Sequence, residues 1–156
     1  QRVASFISSK NTSDEGKALK PTVCTFHSLC VRVLRRHIEK LGYKRNFVIY
    51  NESEQLGIVK KILSAISGKD VKADPRELHS LLSRLKSAGS EGAGKVLGSD
   101  EAVAMADHIR GRYDSALKAA NAVDFDDLLV LTLKLFREHP GSLEECRARF
   151  QYITVD

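Results

Sequence analysis

No run of apolar residues in this chain approaches the ~20 needed to span a bilayer, and no basic-then-apolar leader opens it. A cytoplasmic protein working away from membranes is therefore expected. Cysteine is scarce. Cys24, Cys30 and Cys146 are odd in number and lack C-x-x-C spacing, so neither a disulfide framework nor a cysteine zinc site is indicated. Cys24 and Cys30 lie among apolar neighbours and read as small core residues. His27, His37, His79, His108 and His139 are too scattered to suggest a metal cluster. A glycine-rich phosphate loop is also missing, because the stretch from Gly89 to Gly98 lacks the G-x-x-x-x-G-K-[ST] order.

What is present is ordinary for a globular domain: 156 residues, 42% hydrophobic and 29% charged. Twenty-five Lys and Arg against 20 Asp and Glu leave a net charge of +5. That excess is compatible with a polyanionic partner and equally with a solvated basic surface.

Helical periodicity dominates the order of the chain. Val3, Phe6 and Ile7 read as the tail of a helix, and the polar stretch from Asn11 to Lys20 ahead of Pro21 reads as a loop. Cys30, Leu34, Ile38 and Leu41 form one stripe of a helix from His27 that Gly42 ends. Asn51 with Glu54 makes a capping box for a second helix reaching Gly68, and Asp74-Pro75 opens a third with a cap and proline at its first position. Ala88 to Ser99 reads as a Gly/Ser-rich connection, and Ser99 or Asp100 opens a long fourth helix. Asp124 caps the next, Phe125 to about Glu138, whose leucines run nearly all round and predict burial on more than one side. His139-Pro140-Gly141 ends it, and Ser142 with Glu145 is expected to cap a short last helix.

Two stretches read as strands: Thr22 to Thr25, and Phe150 to Val155 with Asp156 at its end. The chain between them far exceeds the single helix that a crossover between parallel strands needs. The expected fold is therefore mainly α, a helical subdomain inserted between two short parallel strands of an incomplete sheet. Thr25, Phe26, His27 and Ser28 fall where strand gives way to helix. There they can meet an anion or stack on bases, or simply cap the helix with Phe26 in the core and His27 on the surface. Arg32, Arg35 and Arg36 describe either a basic track continuing from that point or a solvated helix face. Asp124, Asp126 and Asp127 crowd a helix start, which helix electrostatics explain without catalysis. Asp156 is either a ligand for a metal–phosphate complex beyond a strand end or a surface residue.

In order, the Thr-Phe-His-Ser junction, the arginine-bearing helix, the long helical stretch, Asn121-Ala-Val-Asp-Phe-Asp-Asp-Leu-Leu129 and Tyr152-Ile-Thr-Val-Asp156 resemble the UvrD/Rep-like superfamily 1 DNA helicases, with the Rep branch nearest. The resemblance covers essentially the whole chain. It implies an incomplete RecA-like P-loop sheet and a division into 1–28 as a margin of motor domain 1A, 29–122 as helical subdomain 1B, 123–149 as helices returning to 1A, and 150–156 as a 1A strand ending at the second Walker aspartate. By resemblance Asp156 helps hold the Mg²⁺ that bridges the nucleotide phosphates. Thr25, Phe26 and His27 contact single-stranded DNA, with Ser28, Arg32, Arg35 and Arg36 as further candidates. Asp124, Phe125, Asp126, Asp127 and Leu128 pack the insert back onto the motor.

The parent is then an enzyme that couples ATP hydrolysis to 3′-to-5′ translocation on single-stranded DNA and to duplex unwinding in replication or repair. ATP and Mg²⁺ serve the intact protein, whereas neither is expected on this chain alone, which is catalytically incomplete. Its partners are single-stranded DNA, the duplex junction and the other motor domains of the same protein. The same motifs occur in the helicase subunits of RecB- and AddA-type helicase-nucleases. From another class, a non-enzymatic helical DNA-binding or adaptor module would have to leave sheet edges unpaired.

Overall fold

The structure, a computed structural model, describes residues 21–66, 73–92 and 99–155. Most helices begin where a short polar side chain takes an otherwise unpaired amide. Thr25 is extended, and its hydroxyl accepts from the Ser28 amide at 3.3 Å, which starts α1 (Phe26–His37). A 3-10 helix (Ile38–Leu41) tightens its end, and Gly42 closes it at φ 79°, where a side chain would be strained. β1 (Val48–Ile49) leads to α2 (Glu52–Ile66). A reciprocal box opens α2, with the Glu54 amide on Asn51 Oδ1 at 3.1 Å and the Asn51 amide on Glu54 Oε2 at 2.7 Å. α3 (Pro75–Gly92) has proline at its first position and Asp74 Oδ1 accepting from the Arg76 amide. Ser99 caps α4 (Asp100–Ala119). β2 (Ala122–Val123) precedes α5 (Phe125–Glu138), and α6 (Pro140–Arg149) follows.

β1 and β2 pair in parallel, Val48 opposite Ala122 and Ile49 opposite Val123. Asn121 makes the sharp entry to β2: its backbone is left-handed at φ 49°, and its Oδ1 accepts from the Lys44 amide at 2.8 Å. Asparagine tolerates that conformation because its short polar side chain can bond locally. Successive strand residues point to opposite faces. Accordingly Ala122 joins one hydrophobic cluster, built from α2, α3 and α4, while Val123 joins another, built from α1, Phe47 and α5. Leu82, Ile109 and Tyr113 centre the first cluster, and Leu34, Phe47 and Leu135 the second, all nearly inaccessible. The small sheet is thus the seam between two cores.

The expected class holds, a mainly helical chain with two short parallel strands, but the strands are different ones. Thr22 to Thr25 and Phe150 to Val155 join no ladder, and Val23, Tyr152, Ile153 and Val155 are exposed. A strand exists only as one rung among others, and no described segment pairs with either stretch. Cys24 is exposed rather than core, for the same lack of a covering layer, whereas Cys30 is buried. α3 runs on through Gly92 into what composition suggested was a loop, since glycine costs a helix only about 1 kcal/mol relative to alanine. α6 starts at Pro140, not at Ser142, because proline's missing N–H is no loss in a first turn. Ser142 is instead fully buried and accepts from Lys40 Nζ at 2.8 Å. α5 buries Leu128, Leu131 and Leu135, but Phe125, Leu129 and Leu133, four residues apart, form an exposed apolar stripe. The expected helix tail at 1–10, the loop at 11–20, Gly68 and Asp156 lie outside the described residues.

Candidate nucleic-acid interface

The start of α1 combines capping with an aromatic surface. The Thr25 hydroxyl is committed to the helix, accepting from the Ser28 amide and donating to Ser28 Oγ at 3.0 Å. Phe26 is not in the core: 61% of it is exposed. His27 is half-buried and stacks on Phe125, ring centroids 4.0 Å apart and planes 21° from parallel. Phe125 opens α5, so the stack joins two helix starts, with Phe26 exposed beside His27 in the chain. The two starts differ electrostatically. The first turn of α5 carries Asp126 and Asp127 beside the Asp124 cap, whereas that of α1 has no acid. The partial positive charge at the start of α1 is therefore the one open to an anion.

The three arginines do not extend this surface as one track. Arg35 donates from Nη1 to the Arg45 carbonyl at 2.6 Å, and its guanidinium lies 4.0 Å from the Phe47 ring centroid. It clasps the chain after the 3-10 helix. Arg32 and Arg36 lie five and nine residues beyond His27, which at 3.6 residues per turn puts them on the far side of α1. They line a shallow cleft with His37 and with Glu145, Cys146 and Phe150. His37 is pulled below its ordinary value, first by burial and against the pull of Glu145, so this cleft favours the neutral imidazole.

The acidic segment is more than a cap. Asp124 Oδ1 accepts from the Asp127 amide at 2.8 Å and Asp127 Oδ2 from the Asp124 amide at 3.2 Å, a capping box built from two aspartates. Their other oxygens face Lys86 of α3, whose Nζ lies 2.6 Å from Asp124 Oδ2, 2.9 Å from Asp127 Oδ1 and 3.2 Å from Asp114 Oδ1. An ammonium has three protons to give, and here it finds three carboxylates. Only 4% of the Lys86 side chain is exposed. Tyr113 donates to Asp124 Oδ2 at 3.2 Å, and Ser83 of α3 donates to Asp126 Oδ2 at 2.6 Å. One segment, Asp124 to Asp127, is thus held from a different hydrophobic cluster.

Burial by itself disfavours the Lys86 ammonium, and the Asp127 and Asp124 carboxylates more than reverse this, so its proton is held more tightly than in an ordinary lysine. Asp127 moves upward from 3.8 to about 6, because burial and the Asp124 charge outweigh Lys86. A raised carboxyl favours the fold when protonated. Asp127's own contribution to stability is therefore fully present below its ordinary 3.8 and is lost as pH rises through about 6. A ¹³C titration of its carboxyl should give a midpoint near 6; a midpoint at or below 4 would remove this assignment.

Lys86 and Ser83 do not stand out in the sequence, and Tyr113 shows there only as a core position on the stripe of α4, not as a donor to Asp124. One signal was there, since Lys86 follows Leu78 and Leu82 at eight and four residues and so falls on the apolar stripe of α3. Among the described residues no group of three His, Cys, Asp or Glu is arranged to hold a metal ion. The carboxylates that do cluster are engaged by Lys86, and the expected metal ligand Asp156 lies outside the described residues. These residues therefore do not by themselves fit a magnesium–nucleotide site. No described helix is long and apolar enough to cross a membrane.

Comparison with known proteins gives this arrangement a context. A family model described as the UvrD/REP helicase N-terminal domain matches residues 1–156. The ATP-dependent DNA helicase PcrA of Bacillus subtilis (strain 168) is 38% identical over 136 residues, 86% of this chain and 18% of that protein. PcrA of Staphylococcus epidermidis (strain RP62A) is 36% identical over 134 residues, and PcrA of Staphylococcus aureus (strain Mu50) 35% over 133, each covering 85% of this chain and 18% of the relative. The chain thus spans about a fifth of the length of these curated relatives. With the family model matched from its first residue to its last, this chain belongs to the UvrD/REP helicase family.

Proposed function

We propose that this chain is part of an ATP-driven DNA helicase that translocates 3′ to 5′ on single-stranded DNA and unwinds duplex ahead of it. Its role is to supply a contact for the single strand and a helical insert that meets the duplex junction. The observation that carries this reading is the His27–Phe125 ring stack, with Phe26 exposed next to it in the chain, at the acid-free start of α1. Rings offer a sequence-tolerant stacking surface for bases, and an uncompensated helix start suits the phosphate beside them. Thr25 and Ser28 set the helix start, while Arg32 and Arg36, on the opposite face, are secondary contacts at most.

The division into a motor margin, helical subdomain and returning helices is part of the same proposal. It is supported by the two cores meeting at β1 and β2, which favours an insert beginning nearer Tyr50 than residue 29. Leu129 and Leu133, exposed one turn apart further along α5, are a face suited to further motor-domain residues of the same protein. Asp156 is proposed as the Mg²⁺ ligand of the nucleotide site, and the chemistry of ATP and Mg²⁺ belongs to residues other than those described.

The test uses the full-length protein and an oligothymidylate. Phe26→Ala is expected to weaken binding by roughly 5- to 150-fold, the equivalent of about 1–3 kcal/mol for one stacked base. Binding should also weaken linearly in log–log form with added salt. Affinity unchanged in both Phe26→Ala and His27→Ala would rule out this surface as the contact.

A further inference from the structure

We infer that Lys86 and Ser83 of α3 are positioning residues for the single-strand contact, because they grip the carboxylates on either side of Phe125 and so hold its ring against His27. This rests on the reading of the ring group as a stacking surface for single-stranded nucleic acid.

Phe125 is 57% exposed, so core packing does not fix its ring. Its backbone is fixed instead. Asp124 before it and Asp127 after it both bind Lys86, at 2.6 and 2.9 Å, and its neighbour Asp126 accepts from Ser83 at 2.6 Å. Three of the first four residues at this helix start are therefore bonded to α3, and the fourth is the aromatic one. Hydrogen bonds to a charged group in a site shielded from water are among the strongest a protein makes. α3 belongs to the cluster of α2 and α4, whereas α1 and α5 build the other cluster. The grip therefore crosses the seam between the cores, and a shift of the α2–α4 cluster would move Phe125 relative to His27. Without the grip, the two aspartates still cap α5 and Tyr113 of α4 still donates to Asp124, but the polar bonds from α3 that fix the residues on both sides of Phe125 are gone.

The full-length protein labelled with [¹³Cε1]histidine gives the test. The His27 signal, assigned through His27→Gln, is displaced by the ring current of Phe125 stacked on it. Lys86→Met and Ser83→Ala are expected to move this signal towards its position in Phe125→Ala. They should also weaken oligothymidylate binding, by about tenfold for Lys86→Met, since one stacking surface is lost. Lys86→Arg should restore part of both. Leu63→Ala, on α2 in the same hydrophobic cluster as α3 but taking no part in these bonds, destabilises the fold while leaving both readouts as in the wild type. A Lys86→Met protein that melts earlier yet keeps the wild-type His27 signal and affinity would overturn the proposal. Should Lys86→Met fail to fold, Ser83→Ala, which removes one hydroxyl, decides by the same readouts. If Phe125→Ala leaves oligothymidylate affinity unchanged, the stacking reading fails, and the His27 signal of the free protein alone decides the positioning.

Discussion

Lys86→Met should lower the unfolding free energy by about 3–5 kcal/mol, because it strands two buried carboxylates without their cation. For a chain of this size that is a fall in melting temperature of roughly 6–20 °C. The size of the loss should depend on pH. With the ammonium gone, Asp127 has burial and the Asp124 charge acting on it and nothing opposing from α3, so its carboxyl rises further above its ordinary 3.8. A group raised in the folded state stabilises below its unfolded value and loses that contribution as pH climbs through the folded one. Lys86→Met should therefore be less damaging at pH 5 than at pH 8. Urea titrations at both values check this, and an equal loss at the two would mean that the carboxylates are not the origin of the cost. Further replacement of Asp127 by asparagine should recover part of the stability, since a neutral side chain needs no cation.

Phe47→Ala is expected to cost about 3–5 kcal/mol, the range for truncating a fully buried aromatic. Phe47 is 1% exposed and sits where α1, Val123 and the leucines of α5 meet, and Arg35 lies over its ring. Truncation opens a cavity in the second core and removes the surface that Arg35 covers, which frees the turn fastened by its bond to the Arg45 carbonyl. Phe47→Leu, which keeps most of the volume, should cost under about 1.5 kcal/mol. Equilibrium denaturation of the two variants separates these outcomes. A small loss in Phe47→Ala would mean that the second core does not depend on this ring.

Local chemistry was legible from residues alone. Asn51 with Glu54, Asp74 before Pro75, Ser99 and Asp124 each act within one turn of chain, and each caps the helix it was expected to cap. Leu78, Leu81, Leu82 and Leu85, spaced in the sequence for one face of α3, likewise lie in a core. His139-Pro140 is both the ending of one helix and the beginning of the next, because proline suits either place. The order of motifs carried the family, which the comparisons show.

What only the tertiary structure decided was every feature that depends on a distant partner. Thr22 to Thr25 has the composition of a strand and is none, while the two-residue stretches at Val48 and Ala122 pair because folding brings them together. Phe26 became exposed and Arg35 became a clasp through neighbours that sequence spacing does not contain. The meeting of Lys86 with Asp114, Asp124 and Asp127 is the clearest case. A lysine's place, at the surface or in a buried charge cluster, is set by whether carboxylates from other helices arrive around it, and one helix's sequence holds no record of that arrival.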